Sequence, residues 1–221
     1  MKTDSDLQRD VLDELEYEPS LEAQAIGVTV REGVVTLTGH VQTYVDKYTA
    51  ETAAKRVAGV RGIAEELTVS LFSGHERNDS DIARAAVNAL DWNVNVPLHK
   101  VQATVENGWI TLNGYINWNY QRDAAFNAVS HLMGVKGVSN LIGVKPLPTP
   151  SVSTVEIKQK IEAALKRNMM KDVAGITVEA KEGKIKLHGK VQSWEEHDDA
   201  ALAAWSAPGV TAVENDIQVT Y

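Results

Sequence analysis

The chain has 221 residues, of which 43% are hydrophobic and 24% are charged, and its formal net charge is −8. It contains no cysteine, which excludes disulfides and thiolate metal sites. No run approaches the roughly 18 consecutive apolar residues of a transmembrane helix, and the opening MKTDSDLQRD lacks the apolar segment of a secretory signal. We therefore expect a cytoplasmic location, or a periplasmic one if a leader has been removed.

One pattern recurs three times at a spacing of 75 residues. GVVTLTGHV (33–41) is followed by GWITLNGYI (108–116) and by GKIKLHGKV (183–191). This period is longer than the 20–50 residues of solenoid repeats and falls near the low end of domain sizes. The sequence therefore predicts three tandem small domains, at 1–73 (repeat 1), 78–147 (repeat 2) and 151–221 (repeat 3).

Each repeat opens with a predicted amphipathic helix. In repeat 1, Leu7, Val11 and Leu15 are spaced by four residues and form one apolar stripe, with Asp4 or Ser5 as the expected N-cap. A short strand follows, and then a turn that ends in glycine at 31–33, 106–108 and 181–183. Asn-Gly at 107–108 is typical of tight hairpins, because both residues tolerate positive φ.

The second strand alternates, and an Ala-rich helix and a last strand complete each repeat. In repeat 1, Val35, Leu37 and Val41 are expected to face inward. The order α-β-β-α-β predicts an α+β fold, in which each repeat is a three-stranded mixed sheet with two helices on one face.

Two sets of glycines recur in this pattern and are interpreted as structural. The first set lies on the inward face of the second strand, where a close approach, expected from a packed helix, requires the absence of a side chain. The second set is expected to end the Ala-rich helix. The first set comprises Gly39, Gly114 and Gly189; the second comprises Gly59, Gly134 and Gly209.

The element order, the motif GxVxLxGxV and the later GVxx[VI] together resemble the BON domain (bacterial OsmY and nodulation). The motif positions of repeat 1 are Gly33, Val35, Leu37, Gly39, Val41, Gly59, Val60 and Ile63. Those of repeat 2 are Gly108, Ile110, Leu112, Gly114, Ile116, Gly134, Val135 and Val138. Those of repeat 3 are Gly183, Ile185, Leu187, Gly189, Val191, Gly209, Val210 and Val213. The family often has Asn two residues further on; Asn140 and Asn215 match, whereas Glu65 departs.

The resemblance implies a bacterial protein that is not an enzyme. BON proteins are associated with osmotic stress, with the cell envelope and with phospholipid contact, and some cytoplasmic members combine the domain with another module and sense potassium. The motif glycines are structural, so the resemblance supplies no catalytic residue and no cofactor.

Repeat 3 carries a candidate site for lipid or another anion. Lys184, Lys186 and Lys190 alternate with apolar residues and should share one strand face, where they would attract anionic headgroups. The alternative is an ordinary solvated sheet face. The first 75-residue block, with a net charge of −6, should be repelled by an anionic membrane.

Repeat 2 concentrates the aromatic residues. Exposed aromatics often mark interfaces, and small domains need to pack on one another. We interpret these residues first as contacts between domains or subunits, with ligand or lipid contact and an ordinary core as alternatives. They are Trp92, Trp109, Tyr115, Trp118 and Tyr120.

Other kinds of site find little support. GVRG (59–62) and GVKG (134–137) match the GxxG loop of nucleic-acid-binding KH domains, but they connect a helix to a strand, and the acidic balance opposes phosphate binding. The histidines have no metal-site spacing, and no nucleophile elbow or phosphate-binding loop occurs. We therefore expect no nucleic-acid partner, no metal and no catalysis.

Two functional hypotheses remain. The first is a stress-related module that binds anionic phospholipid or another envelope component. The second is a soluble scaffold or a sensor of a small ligand or ion, which acts through contacts between repeats or with a protein partner. The polar hinge at 72–80 and the proline-rich linker at 146–153 favour repeats 1 and 2 as the closer pair.

Overall fold

A computed structural model describes residues 2–71, 74, 76–146, 153–168 and 175–220, so most of the predicted linker and residues 72, 73 and 75 of the hinge lie outside the described residues. Repeat 1 contains α1 (Asp4–Tyr17), β1 (Ile26–Arg31), β2 (Val34–Val41), α2 (Tyr44–Arg56) and β3 (Gly62–Val69). Repeat 2 contains α3 (Asp79–Trp92), β4 (Val101–Glu106), β5 (Trp109–Ile116), α4 (Asn119–Ser130) and β6 (Gly137–Val144). Repeat 3 contains α5 (Thr154–Asn168), β7 (Thr177–Lys181), β8 (Lys184–Val191), α6 (Trp194–Trp205) and β9 (Ala212–Val219).

The described strands form one three-stranded mixed sheet in each repeat, which confirms the predicted α+β class. The second strand of each repeat is central, antiparallel to the first and parallel to the third. In repeat 1, for example, Leu37 lies opposite Val28 on one side and Glu65 on the other. The two helices cover one face, where Val35 and Leu37 are fully buried, and the other face is left to solvent.

The predicted hairpins are confirmed, and in repeats 1 and 2 an Asp of the first helix forms hydrogen bonds with the hairpin turn. Both central turn residues have positive φ, as type I′ turns require; for Asn107 and Gly108 the values are 53° and 80°. The backbone N–H groups of these two residues donate to the Asp79 carboxylate at 2.7 and 2.9 Å. Asp4 plays the same part for Glu32 and Gly33. The first turn of α1 or α3 is therefore tied to the hairpin that follows it.

The role of Asp4 corrects the expected N-cap of α1. Thr3 is the cap instead: its hydroxyl accepts the Asp6 backbone N–H, and the Asp6 carboxylate accepts the Thr3 backbone N–H. These two bonds form a capping box, which satisfies two backbone donors at once. The Thr3 contacts hold the pKa of Asp6 below its ordinary value. Asp4 is thereby left available for the hairpin.

The strand glycines make the predicted close approach, but to a different partner. A Cβ at Gly39 would collide with the Ala25 carbonyl oxygen, just before β1, and not with a packed helix. Gly114 and Gly189 meet the carbonyls of Lys100 and Gly175 in the same way. All three have φ between 121° and 151°, a region that favours glycine. The crossing point of the first two strands therefore requires glycine in each repeat.

The second set of glycines lies beyond the helix ends. α2 ends at Arg56 with Val57 as its cap, so Gly59 belongs to the connection that leads to β3 and does not cap the helix. Gly59 has a φ of 112°, and a Cβ there would press on Leu7 of α1. Gly134 similarly faces Ile82. These glycines let the first helix of a repeat pack on the turn after its second helix.

The Asn positions of the motif connect the second helix to the edge strand. Asn140 Nδ2 donates to the Arg122 carbonyl of α4 at 3.1 Å, and its Oδ1 accepts the Ile142 N–H. Asn215 makes the equivalent bonds in repeat 3. In repeat 1 Glu65 replaces Asn, and its carboxylate pairs with the Lys47 ammonium at 2.7 Å. Repeat 1 thus keeps the same connection with a different pair of side chains.

The contact between repeats 3 and 1 resembles the contact between repeats 1 and 2. Tyr44 and Trp194, at equivalent positions, begin α2 and α6. Trp194 Nε1 donates to the Val60 carbonyl of repeat 1 at 2.9 Å, and Tyr44 receives a backbone hydrogen bond from Val138 of repeat 2. Burial of the Tyr44 ring raises the pKa of its hydroxyl. Both rings therefore reach the next repeat near the start of its last strand.

Two clefts between repeats are lined by residues at equivalent positions. Each combines the end of one repeat's last strand with the hairpin and the glycine turn of the next repeat. The first is lined by Ser70, Arg77, Asp79, Gly108, Gly134 and Lys136. The second is lined by Thr220, Lys2, Asp4, Gly33, Gly59 and Arg61, which are the equivalent positions. Repeat 3 is therefore placed against repeat 1 as repeat 1 is placed against repeat 2.

Repeats 2 and 3 also touch, which closes a head-to-tail arrangement. The Arg122 guanidinium of α4 lies 4.9 Å from the centroid of the Trp205 ring of α6. Repeat 1 packs on repeat 3 as well as on repeat 2, so the expected preference for the first pair is not seen. Head-to-tail contacts that close in this way are the rule in cyclic oligomers, and here the three members belong to one chain.

Candidate functional site: the outer sheet faces

The sheet face opposite the helices is exposed in each repeat, and its chemistry differs between repeats. In repeat 1 the central strand presents Val34, Thr36, Thr38 and His40 there. In repeat 2 the equivalent residues are Trp109, Thr111, Asn113 and Tyr115. In repeat 3 they are Lys184, Lys186, His188 and Lys190. The same backbone therefore displays a hydroxyl-rich, an aromatic and a basic strand.

The three predicted lysines share one face of β8, but their surroundings differ. Lys186 Nζ lies 2.9 Å from Glu214 Oε1 and 3.0 Å from Asp216 Oδ2 on β9. The hydrogen bond to Glu214, and then the one to Asp216, raise the pKa of Lys186. Lys184 and Lys190 make no salt bridge within the described residues. They stand at the two ends of the strand, about 20 Å apart. The two end lysines are therefore the available cations of the stripe.

Trp109 and Tyr115 both reach over the edge strand of repeat 2. A Cβ at Gly137 would collide with the six-membered ring of Trp109, and one at Gly143 would lie 2.9 Å from two carbons of the Tyr115 ring. These glycines are the direct cross-strand neighbours of the two aromatics. Trp109 Nε1 also donates to Ser139 Oγ at 2.8 Å. Both rings are thereby held against the sheet, and both remain exposed to solvent.

The remaining predicted aromatics do not join this face. Trp92 is 89% exposed at the end of α3. Trp118 is the N-cap residue of α4, and Tyr120 lies in the first turn of that helix. All five predicted aromatics are exposed, so a role in contact with another molecule remains a prediction for them. The contacts between repeats use other rings.

The aromatics that connect the repeats were not singled out from the sequence. Tyr44 and Tyr48 of α2 pack on Phe126 of α4, with ring centroids 6.3 and 5.9 Å apart. Trp194 and Trp205 connect α6 to repeats 1 and 2. One signal was available: Tyr44 and Trp194 both follow the N-cap of a second helix, at equivalent positions of the 75-residue pattern.

The third equivalent position holds a short polar residue. Asn119 begins α4, is buried, and donates from Nδ2 to Asp123 Oδ2 at 2.8 Å. Its Oδ1 has no hydrogen-bond partner among the described residues. Burial raises the pKa of Asp123, with the nearby Arg122 charge acting in the opposite direction. At this position repeat 2 therefore has polar groups where the other two repeats have an aromatic ring.

Within the described residues, no group of three His, Asp or Glu side chains is arranged to hold a metal ion. No helix in that part of the chain has the length and apolar character needed to cross a membrane.

Comparison with known proteins identifies the repeats. The family model of the BON domain matches residues 3–70, 78–146 and 153–221. The Osmotically-inducible protein Y of Escherichia coli (strain K12) is 26% identical over 153 residues, which cover 66% of this chain and 74% of that protein. A solved structure of CdsD, a structural protein of the type III secretion system of Chlamydia trachomatis, aligns over 97% of this chain and 92% of its own at 15% identity, with a TM-score of 0.27. That score is too low to support an argument about fold or function.

Proposed function

The chain belongs to the BON domain family, and on that premise we propose that it is a non-enzymatic binding protein of the osmotic stress response. Its similarity to the Osmotically-inducible protein Y supports the connection with osmotic stress. We propose further that it contacts anionic phospholipid, or another anionic component of the cell envelope, through the outer face of repeat 3.

The observation that carries this proposal is the exposure of Lys184 and Lys190 without acidic partners among the described residues. A lysine near an anionic surface contributes about 1 kcal/mol of attraction at physiological ionic strength. Two such lysines contribute about 2 kcal/mol, which corresponds to roughly 30-fold in affinity. Binding should therefore be weak, selective for anionic lipid and sensitive to salt.

Co-sedimentation with vesicles tests the proposal. The full chain is mixed with vesicles of phosphatidylglycerol and phosphatidylcholine, or of phosphatidylcholine alone, at low and at physiological salt. Binding to the anionic vesicles that falls with salt is the expected result. Replacing Lys184 and Lys190 with Ala should weaken this binding by about 30-fold.

The matched control changes two lysines on the other side of repeat 3. Lys160→Ala with Lys166→Ala removes the same charge from α5, which packs on the opposite face of the sheet. This variant should keep most of the binding. Equal loss in both variants would show that only net charge matters, and no binding to any vesicle would reject the lipid proposal.

A second candidate function is a scaffold or ion sensor in which the repeats shift on one another. The contacts between repeats favour this candidate. They are made by Tyr44, Trp194 and Arg122, each of which lies in the second helix of its repeat and contacts another repeat, so a movement of one of these helices would change a contact between repeats. Small-angle scattering during potassium, sodium and calcium titrations tests this candidate. A change in radius of gyration that is specific to one cation supports sensing, and constant dimensions in all three titrations reject it.

A further inference from the structure

We propose that the outer face of repeat 2 is a binding platform for a neutral, extended oligosaccharide, a site separate from the basic face of repeat 3. The two exposed rings stand at opposite ends of this face, with polar uncharged side chains and the exposed Leu141 between them. Trp109 is 46% exposed and Tyr115 is 70% exposed. This arrangement suits a hydroxyl-rich chain whose rings have apolar C–H faces.

The cross-strand register arranges the face in rows. Trp109 is opposite Gly137, and Tyr115 is opposite Gly143, so the end rows each have one ring over a glycine. The inner rows place Thr104 beside Thr111 and Ser139, and Gln102 beside Asn113 and Leu141. The platform therefore offers hydroxyl and carboxamide groups between two exposed aromatic rings.

The rings have the geometry that a sugar would need. An aromatic ring has a negative face, which attracts the weakly positive C–H groups on the flat side of a pyranose ring. The Trp109 indole lies with its six-membered ring over Gly137, and one edge of the Tyr115 ring lies beside Gly143, so both rings occupy space that a side chain on β6 would otherwise fill. The bond from Trp109 Nε1 to Ser139 Oγ holds the indole in that position. The platform is therefore formed before any ligand arrives.

The near absence of charge on the strands of this face favours a neutral ligand over an anionic one. Among the side chains that β4, β5 and β6 place on this face, Glu106 is the single charged one, and it stands at the end of β4. Lys100 and Lys145 lie just beyond the strand ends. An anionic lipid surface would find no cation on these three strands, whereas repeat 3 offers lysines on the equivalent strand. A neutral ligand is not repelled by such a face. The amide and hydroxyl side chains of the face can form hydrogen bonds with the hydroxyl groups of the ligand, directly or through water.

The size of the face favours an elongated ligand over a second copy of the chain. Three strands spaced about 4.8 Å apart, each of about 25 Å, give a face of roughly 400 Å². A stable protein interface buries about 800 Å² on each partner. The rings themselves, six residues apart on β5, are separated by about 20 Å, which is longer than any single sugar ring. The ligand is therefore a chain of several sugars that lies along the strand.

A β-1,4-linked chain with equatorial hydroxyls fits best, because it is flat and carries C–H groups on both faces. Isothermal titration of the full chain with cellohexaose and chitohexaose tests this, and the curved maltohexaose serves as the comparison. Binding of at least one flat hexasaccharide, more tightly than maltohexaose, is the expected result. No binding of either flat hexasaccharide at millimolar concentration overturns the proposal.

Variants locate the site. Trp109→Ala and Tyr115→Ala should each weaken binding at least tenfold, whereas Trp92→Ala, which removes an exposed indole from the end of α3, should leave it within twofold. Lys184→Ala with Lys190→Ala should also leave it unchanged, which separates this site from the proposed lipid contact. Wild-type affinity in both aromatic variants overturns the proposal.

The glycines provide a test that does not remove a ring. Gly143→Ala should lift Tyr115 and weaken binding severalfold in the wild-type background, but should have no further effect in the Tyr115→Ala background. Light scattering on the same samples detects a second copy. A dimer that dissociates when Trp109 or Tyr115 is replaced would assign the face to self-association and overturn the oligosaccharide proposal.

Discussion

The indole of Trp194 donates a hydrogen bond to the carbonyl of Val60 across 134 residues of sequence, at 2.9 Å. Trp194 also packs against the hydrophobic core of repeat 1. One side chain therefore connects the last repeat to the first, and Tyr44 makes the equivalent connection from repeat 1 to repeat 2. The order of the repeats in space follows from these two rings.

Trp194→Ala should separate repeat 3 from repeat 1. Loss of a large packed ring costs about 3 kcal/mol, whereas Trp194→Phe, which loses mainly the hydrogen bond, should cost about 1 kcal/mol. Small-angle scattering should show a larger radius of gyration for the Ala variant, and urea unfolding should lose cooperativity. Trp92→Ala is the matched control, and identical scattering for both Ala variants would contradict the role of Trp194.

Gly39→Ala should destabilise repeat 1 severely. The positive φ alone costs about 1–3 kcal/mol, and the new Cβ would also collide with the Ala25 carbonyl. We expect the free energy of unfolding to fall by more than about 3 kcal/mol. Gly62→Ala is the control, because its nearest neighbour would lie 3.9 Å away. Similar denaturation midpoints for the two variants would be inconsistent with the predicted collision.

Asn140→Ala should weaken the link between α4 and β6. It removes a donor to the Arg122 carbonyl and an acceptor for the Ile142 N–H, at a cost of about 1–3 kcal/mol in unfolding free energy. Thermal unfolding measures the loss. Asn127→Ala, at an exposed position of α4, should change the midpoint little. The prediction fails if the two variants unfold at the same temperature.

Asp123 should contribute a stability that falls as pH rises. Partial burial raises the pKa of this carboxyl above the ordinary Asp value of 3.8, so this group binds more protons in the folded chain than in the unfolded chain between the two pKa values. The contribution of Asp123 to the free energy of unfolding therefore decreases as pH rises through that window, whereas Asp6 and Glu18, with lowered pKa values, act in the opposite direction. Asp123→Asn should be more stable than the wild type at pH 7, and this advantage should shrink towards pH 3.

Urea titrations at several pH values measure this difference. Asp91→Asn, at an exposed position of α3, is the control for a general change in charge. A wild type that is as stable as Asp123→Asn at every pH would show that burial of this carboxyl has no energetic consequence.

Glu214→Gln with Asp216→Asn should strengthen vesicle binding. Both carboxylates pair with Lys186, so neutralising them frees that ammonium and removes two negative charges from the proposed contact face. Glu162→Gln with Asp199→Asn makes the same change in net charge on the helical side. Co-sedimentation with phosphatidylglycerol vesicles should rank the first variant above the second. The reverse order would place the membrane contact elsewhere.

Local patterns were enough to predict much of the fold. The structure confirms the elements that these patterns predict. The alternation of Val35 and Leu37 and the Asn107-Gly108 turn reflect local backbone preferences, and the 75-residue period shows that the same local patterns recur three times. The predicted partner of Gly39, a packed helix, was wrong, because a glycine in a strand indicates a close approach but does not identify which backbone approaches. The predicted N-cap of α1 was also wrong, because Asp4 binds the hairpin instead.

The candidate faces depended on cross-strand neighbours. Sequence alternation placed the three lysines on one face, but only the register of β8 with β9 brought Glu214 and Asp216 to Lys186. The same holds for Trp109 and Tyr115, whose rings occupy the space beside Gly137 and Gly143 of the parallel strand.

The sequence by itself determined the repeat, the order of its elements and the residues of each core, because these depend on periodicity and on local backbone preferences. The tertiary structure decided which rings connect the repeats, which lysines remain without a salt bridge within the described residues and which aromatics lie over the edge strand. Those properties arise from contacts between residues far apart in the chain, such as Trp194 with Val60, and periodicity carries no information about such pairs.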